Sequence, residues 1–260
     1  MTDTTTRNLI RLDDADLGRS IYRIYPLDRF KMLLTAKQDA VVNPTKWQDP
    51  FEDFFLERTE VMDSVSSTTI PLKNLAGDWY GQCWSFNSDT DAMWRIYSPD
   101  PQKEVGVKVR TTIRKLFENL KAVGSPAASL QFFVGKVKYL TENQITNMMG
   151  NLTFADVAIG GQGDHFADLL CMKRTAFQHE AEVRLLFQDM DFSGQPKRGV
   201  CGVFSYSLDA AVVFEEAVLD PRLKDTDVTR ITSELQVAGC TLPITRSPLY
   251  QSPSFVIPLA

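Results

Sequence analysis

Ser20–Tyr25, SIYRIY, followed by Leu27–Leu34, LDRFKMLL, and Ala40–Pro44, AVVNP, is the stretch on which the fold turns. Aromatic and β-branched residues dominate its first six positions, which suits a strand. Pro26 sets up a turn, Asp28 is a candidate helix cap, and Leu27, Phe30, Met32, Leu33 and Leu34 predict a short helix. A brief second strand then stops at Pro44.

The same reading extends outward. Strands are expected at WYGQCWSF (79–86), VGVKVRTT (105–112), SLQFFVGKVKYL (129–140), HEAEVRLLF (179–187), GVFSYSL (202–208), VVFEEAVLDP (212–221) and CTLPITRS (240–247). Helices are expected at SDTDAMWRIY (88–97), which opens with a Ser-x-x-Asp capping signature, at TTIRKLFENLKAV (111–123), at WQDPFEDFFLE (47–57), at DHFADLLCMKRTAF (164–177) and at DTDVTRITSELQVAG (225–239). The Ser/Thr-rich residues 62–78 read as a loop, and residues 141–162 are ambiguous. The irregular order of strands and helices argues for a single α+β domain with a mixed or antiparallel sheet and flanking short helices, against a doubly wound fold. Residues 1–18 read as a polar arm and 19–260 as the domain.

Composition narrows the function classes. The 260 residues are 43% hydrophobic and 23% charged, as in an ordinary globular protein. A net charge of −5 argues against a general nucleic-acid-coating protein. Cys83, Cys171, Cys201 and Cys240 form no C-x-x-C pair, and with only His165 and His179 present a two-histidine metal motif is excluded. The polar N-terminus and the absence of a long apolar run suggest a cytoplasmic protein without membrane partners.

Three pieces place polar groups among apolar ones. Arg23, beside Tyr25 on the first strand, has the fork that suits a phosphate or carboxylate, or it faces solvent. Ser85, with Trp84, Trp94 and Tyr97 close by in sequence, suggests an aromatic cleft, or simply core packing. No G-x-S-x-G elbow surrounds Ser85, so a serine hydrolase is disfavoured. Glu180 and Glu182, on one face of a strand with Arg184, offer an acid/base or charge-stabilising pair, or a solvated charge ladder. Gly160–Gly163 lacks a phosphate-binding context. Arg110, Arg114, Lys115, Lys121, Lys136 and Lys138 form a basic stretch that is either a solvated face or a docking surface for an acidic partner or RNA.

Arginine on a first strand, serine on a middle strand and Glu-x-Glu on a late strand together resemble the R–S–E pattern of ADP-ribosyltransferases. The chain from Tyr22 to Tyr250 is also similar to a bacterial family designated domain of unknown function 2971. That similarity is carried by W-x-D-P-F-E (47–52), C-W-S with M-W-x-x-Y (83–97), G-V-x-V (106–109) and K-x-x-x-F-x-x-E-x-E-x-R-L (173–185). The first resemblance implies an ADP-ribosyltransferase-type domain that uses NAD as substrate. Arg23, Tyr25, Trp84, Trp94 and Tyr97 would bind it, and Ser85, Glu180 and Glu182 would be catalytic. Glu182 would stabilise the ribosyl oxocarbenium ion, and Glu180 would orient or deprotonate the acceptor nucleophile. It implies a bacterial toxin, toxin–antitoxin component or phage-defence effector modifying RNA, DNA or protein, with a neutralising antitoxin partner. An NAD glycohydrolase and a non-catalytic nucleotide- or peptide-binding module are the alternatives. Ser85 stands in Trp-Ser-Phe, where the transferase pattern has Ser-Thr-Ser.

Overall fold

The computed structural model describes residues 8–47, 60–63, 68–71, 77–122, 131–151, 164–189 and 199–254. In chain order its elements are β1 (Leu9–Ile10), β2 (Ser20–Pro26), α1 (Leu27–Ala36), β3 (Gln38–Val42), β4 (Glu60–Asp63), β5 (Thr68–Pro71), β6 (Trp79–Ser85), α2 (Asp91–Tyr97), β7 (Gly106–Thr112), α3 (Ile113–Ala122), β8 (Phe132–Lys136), β9 (Lys138–Leu140), α4 (Glu142–Asn151), α5 (Asp164–Leu169) and β10 (Met172–Arg174). A 3-10 helix (Thr175–Glu180) then leads to β11 (Glu182–Gln188), β12 (Val203–Ser207), α6 (Ala210–Val213), β13 (Glu216–Leu219), α7 (Asp225–Val237) and β14 (Ile244–Arg246).

Ten strands form one mixed sheet in the order β1-β8-β11-β6-β2-β7-β13-β14, with β3 on β6 and β12 on β3. The β1–β8 and β13–β14 pairs are parallel and the others antiparallel. Strands drawn from residues 9 to 246 share this sheet, so the chain is one α+β domain.

Alternation along the strands sorts the two faces. Ile21 and Tyr25 of β2, Tyr80 and Trp84 of β6, Val183 and Leu185 of β11 and Val107 and Val109 of β7 share the main core with α1, α3 and α7. In α3, Ile113, Leu116, Phe117 and Leu120 supply the apolar stripe expected from their spacing. The opposite face carries two smaller apolar clusters. One gathers Trp79, Phe133 and Leu186 under Phe166 and Leu170; the other gathers Ile24, Trp94 and Val218. Polar residues lie between them.

The sheet splits at one place. β2 follows β7 for seven residue pairs, and β11 follows β6 for seven, but β2 meets β6 only at Tyr22 and Ser85. On that same edge, β6 pairs with β3 only at Gly81 and Val42. The edge of β6 between Gly81 and Ser85 therefore opens onto a gap.

Several expectations are corrected. Part of the presumed loop at 62–78 belongs to the β4–β5 hairpin, whose Val61, Thr68, Thr69 and Ile70 are β-branched residues that favour extended backbone. The helix expected over 164–177 ends at Leu169; the chain then forms β10, parallel to β9, and the 3-10 turn. From the presumed polar arm, Leu9 and Ile10 join β8, Leu17 is buried, and the Asn8 side chain donates to the Phe132 carbonyl. The helix expected around Phe51, Phe54 and Phe55 and the Gly160–Gly163 segment lie outside the described residues. Among the described residues, no helix is long and apolar enough to cross a membrane.

Candidate active site

The gap between β2 and β6 is a cleft of about 180 Å³ lined by Tyr22, Arg23, Ile24, Cys83, Trp84, Ser85, Met93, Tyr97, Glu180 and Glu182, with Pro26 at one end. Three pieces that are remote in sequence thus meet. The register explains the meeting: Ser85 lies across from Tyr22 on one side and from Glu182 on the other, so one row of the sheet crosses all three strands.

Arg23 leaves β2 next to Tyr25, its guanidinium carbon 5.0 Å from that ring's centre. Its Nη1 donates to the Cys83 carbonyl at 3.1 Å, capping an acceptor that the split leaves without a strand partner. Among the described residues this is its one hydrogen bond, and it makes no ion pair there. A guanidinium carries five N–H donors, so most of this one's capacity is open to a ligand. Burial works against the Arg23 charge, but Tyr25 and Asp39 outweigh it and raise its pKa.

The carboxylates sit on the other wall. Arg184, its side chain 1% exposed, grips Glu182 through Nε on Oε1 at 2.8 Å and Nη2 on Oε2 at 3.1 Å. Arg184 Nη1 also donates to the Leu170 carbonyl, and the guanidinium lies 4.3 Å from the Trp47 ring centre. Gly81 makes this cover possible: a Cβ there would stand 2.5 Å from the Trp47 ring. Burial pushes the Glu182 carboxyl up, yet Arg184, helped by Lys173, prevails and holds it down at about 2. Glu182 is therefore an anion at neutral pH and no source of protons. A solvated charge ladder is excluded, since Glu182 and Arg184 are buried.

Glu180 corrects the expectation of two glutamates along one strand. It ends the 3-10 helix, and Ala181, in the left-handed region at φ 45°, turns the chain before β11 begins. Lys173 Nζ lies 2.8 Å from Glu180 Oε2 and 3.3 Å from Glu182 Oε2, so one ammonium joins both acids. Glu180 Oε1 has no hydrogen-bond partner among the described residues, whereas both Glu182 oxygens already accept from Arg184. The more available carboxylate is Glu180.

The serine and the aromatics divide. Ser85 Oγ donates to the Glu180 carbonyl at 2.6 Å and accepts from the Asn87 amide at 2.9 Å, so its hydroxyl fixes the turn that carries Glu180. Tyr97 lines the cleft and is 42% exposed, leaving a ring face for stacking. Burial, with Glu180 and Glu182 nearby, raises its hydroxyl pKa. Met93, one turn earlier on α2, lines the same wall.

Trp84 borders the cleft, but its indole donates to Gln82 Oε1 and its ring packs against Tyr25 and Phe214. Tyr25 does not line the cleft. It is buried in the main core, where its hydroxyl donates to Asp39. Trp94, on α2, is buried with Ile24 and Val218, its Nε1 donating to Asp89, and it lines a small cavity that adjoins the cleft through Arg23 and Ser85. Large rings recover more apolar burial inside the core than at a cleft rim, which is why neither ring lines the cleft itself.

Tyr22, Cys83, Lys173 and Arg184 join the site without a place among the residues that the sequence nominates for it. Alternation with Ser85 and Glu182 was the available signal for Cys83 and Arg184; nothing local marked Tyr22. The arginines of the basic stretch and Lys115 are paired with acids: Arg110 lies 3.2 Å and 3.3 Å from Glu215 and Glu216, Lys115 lies 3.0 Å from Glu215, and Arg114 lies 3.8 Å from Glu118. No cluster of three or more metal-ligating side chains occurs among the described residues.

No protein-family model and no curated protein matches the chain. Among solved structures it is similar to DarT of Thermus sp. 2.9 in complex with NAD+, at 11% identity and a TM-score of 0.40 over 88% of this chain and 96% of that one. The same protein in complex with ADP-ribosylated ssDNA gives 12% identity and a TM-score of 0.41 over 88% and 94%. In complex with carba-NAD+ it gives 12% and 0.36 over 88% and 95%.

Proposed function

We propose that the cleft binds NAD+ and that the protein is an ADP-ribosyltransferase. The observation that carries this reading is the pairing, within one cleft, of an under-used guanidinium on one wall with two carboxylates on the other. A ligand matched to it carries an anion at one end and develops positive charge a short way along. A nicotinamide dinucleotide has both, in its diphosphate and at the ribose C1′. A cleft of about 180 Å³ suits the nicotinamide ribose, with the remainder of the dinucleotide lying along the open mouth.

Each residue then has a role set by its surroundings. Arg23 pairs with a phosphate oxygen. Tyr97 stacks on the nicotinamide ring. The bond between C1′ and the ring nitrogen breaks, its electron pair leaves with nicotinamide, and an oxocarbenium ion remains. Glu180 and Glu182 form the anionic wall beside it, by the logic that serves glycosidases. Glu182 is the fixed anion and Glu180 the one with an open oxygen. The acceptor nucleophile bonds to C1′ and passes its proton to the open oxygen of Glu180. Ser85 acts by holding the turn that carries Glu180.

The test is incubation of the purified protein with NAD+ labelled in its adenylate, offered protein, RNA and single-stranded DNA. Released nicotinamide and label transfer are followed together. Glu180→Gln should cut turnover roughly 10²–10³-fold. Arg23→Met should weaken NAD+ binding about tenfold or more, the loss of a charge-assisted contact. Release without transfer would make the protein a glycohydrolase. No release, with no dependence on Glu180, would leave a binding module. Growth arrest on expression in a bacterium, relieved by Glu180→Gln, is the matching test for a toxin role.

A further inference from the structure

Lys173 reaches the cleft's acids from β10, a strand outside the main sheet. Its ammonium, Glu180 and Glu182 are all largely withdrawn from water, with side-chain exposures of 10%, 12% and 4%. The Phe177 ring centre lies 4.8 Å from Nζ and covers it. Two carboxylates that share one ammonium at 2.8 Å and 3.3 Å lie close enough to repel each other strongly without it. Arg184 holds Glu182 on its own account. Glu180 has Lys173 as its one ion-pair partner among the described residues. The other titratable groups facing the acids are Cys83 on β6, Tyr97 on α2 and Tyr139 on β9, whose hydroxyl accepts from the Glu182 amide, with Arg23 across the gap.

We propose that Lys173 is a positioning residue: by bridging Glu180 to Glu182 it fixes the Glu180 carboxylate with one oxygen turned into the cleft. The inference rests on the reading of the cleft as an NAD+ site and assigns that site its carboxylate geometry. Lys173 holds Oε2, and Oε1 is left to face the ribose. The spacing Lys173-x-x-x-Phe177-x-x-Glu180-x-Glu182-x-Arg184 thereby acquires a physical reason. It encodes the bridging cation, its cover, the presented acid, the fixed acid and the anchor of the fixed acid.

The experiment is steady-state NAD+ cleavage by the full chain as wild type, Lys173→Met, Lys173→Arg, Glu180→Gln and the Lys173→Met/Glu180→Gln double variant. Thermal melts check that each is folded. Lys173→Met should lower kcat at least tenfold with the KM for NAD+ within twofold of wild type, because Arg23 and Tyr97 still bind. Lys173→Arg should recover most of the loss. Since Lys173 acts through Glu180, its loss should add less than twofold to the kcat defect of Glu180→Gln. Lys173→Met with unchanged kcat overturns the proposal, and so do fully multiplicative defects in the double variant. If Lys173→Met does not fold, Lys173→Gln replaces it: an unchanged kcat in that variant overturns the proposal, and a loss recovered in Lys173→Arg supports it. An inactive wild type would instead overturn the NAD+ reading, and is told apart because no variant is then needed to see it.

Discussion

Arg184–Glu182 and Arg110–Glu215 are both pairs between a strand arginine of one sheet and a glutamate, closed at 2.8 Å and 3.2 Å, and they do different things. The first pair is buried, with exposures of 1% and 4%. The second, at 37% and 27%, borders solvent and is shared with Glu216 and Lys115. Water screens the second pair and makes each partner dispensable. The first is desolvated on both sides, so each partner depends on the other. Residue types are the same in the two places; burial of both partners and the two hydrogen bonds from Arg184 separate a piece of cleft architecture from a looser network in which Arg110 Nε makes no hydrogen bond among the described residues.

The strongest way to break this comparison is to remove one arginine from each. Arg184→Met should cost about 3–5 kcal/mol, because it strips the buried Glu182 of both arginine hydrogen bonds and leaves it the Lys173 ammonium at 3.3 Å, and urea unfolding measures it. Arg110→Met should cost about 0–1 kcal/mol. Removing both partners of the buried pair, as Arg184→Met with Glu182→Leu, should restore much of the stability while leaving the cleft without its fixed anion. A loss below about 1 kcal/mol in Arg184→Met would erase the distinction between the pairs.

Acid should separate them next. Glu182 is held at about 2 in the folded chain against 4.5 for the free side chain. A depressed carboxylate contributes stability that is complete above the unfolded value and lost as pH falls toward the folded one. The contribution is on the order of 3 kcal/mol, present at neutral pH and decaying between about pH 5 and pH 2. Unfolding free energies measured across that range should fall more steeply for wild type than for Glu182→Gln. Parallel curves would mean that the pair carries no such linkage.

Part of this was legible in the sequence. The strand–helix–strand opening, the amphipathic helix at Ile113–Ala122 and the strand into β11 followed from local periodicity. So did the presence of an arginine, a serine and a glutamate on three different strands. What failed was non-local or unmarked. E-x-R alternation is identical for a solvated ladder and a buried pair, because burial of Glu182 and Arg184 comes from Trp47, far away in the chain, and from the Leu170 turn, which lies outside the strand. Trp94 and Tyr25 looked like ligand-binding rings because composition cannot tell a cleft rim from a core. The split between β2 and β6, which makes the cleft, is a property of strand pairing across about 60 residues and leaves no local trace.

Packing over the buried pair gives a smaller effect. Gly81→Ala would push a methyl into the Trp47 ring, and overpacking of this kind costs about 1–3 kcal/mol. It should also uncover Arg184, so its cost should shrink in an Arg184→Met background. The Arg110 pair, which has no such lid, should be indifferent. Simple additivity of Gly81→Ala and Arg184→Met in melts would show that Trp47 does not serve the pair.

The smallest effect concerns the turn that brings Glu180 to the cleft, which has no counterpart at the Arg110 network. Ala181 adopts φ 45° and ψ 52°, a conformation that costs an alanine about 1–2 kcal/mol and a glycine almost nothing. Glycine offsets part of that gain through its larger unfolded-state entropy, about 0.5–1 kcal/mol. Ala181→Gly should therefore leave the melting temperature level or raise it by about 2 °C. It should lower kcat at the same time, because the link between Glu180 and Glu182 loses its stiffness. Stability and turnover moving in opposite directions at one residue would show that the strained alanine is kept for the position of Glu180. A fall in both would make it an ordinary packing site.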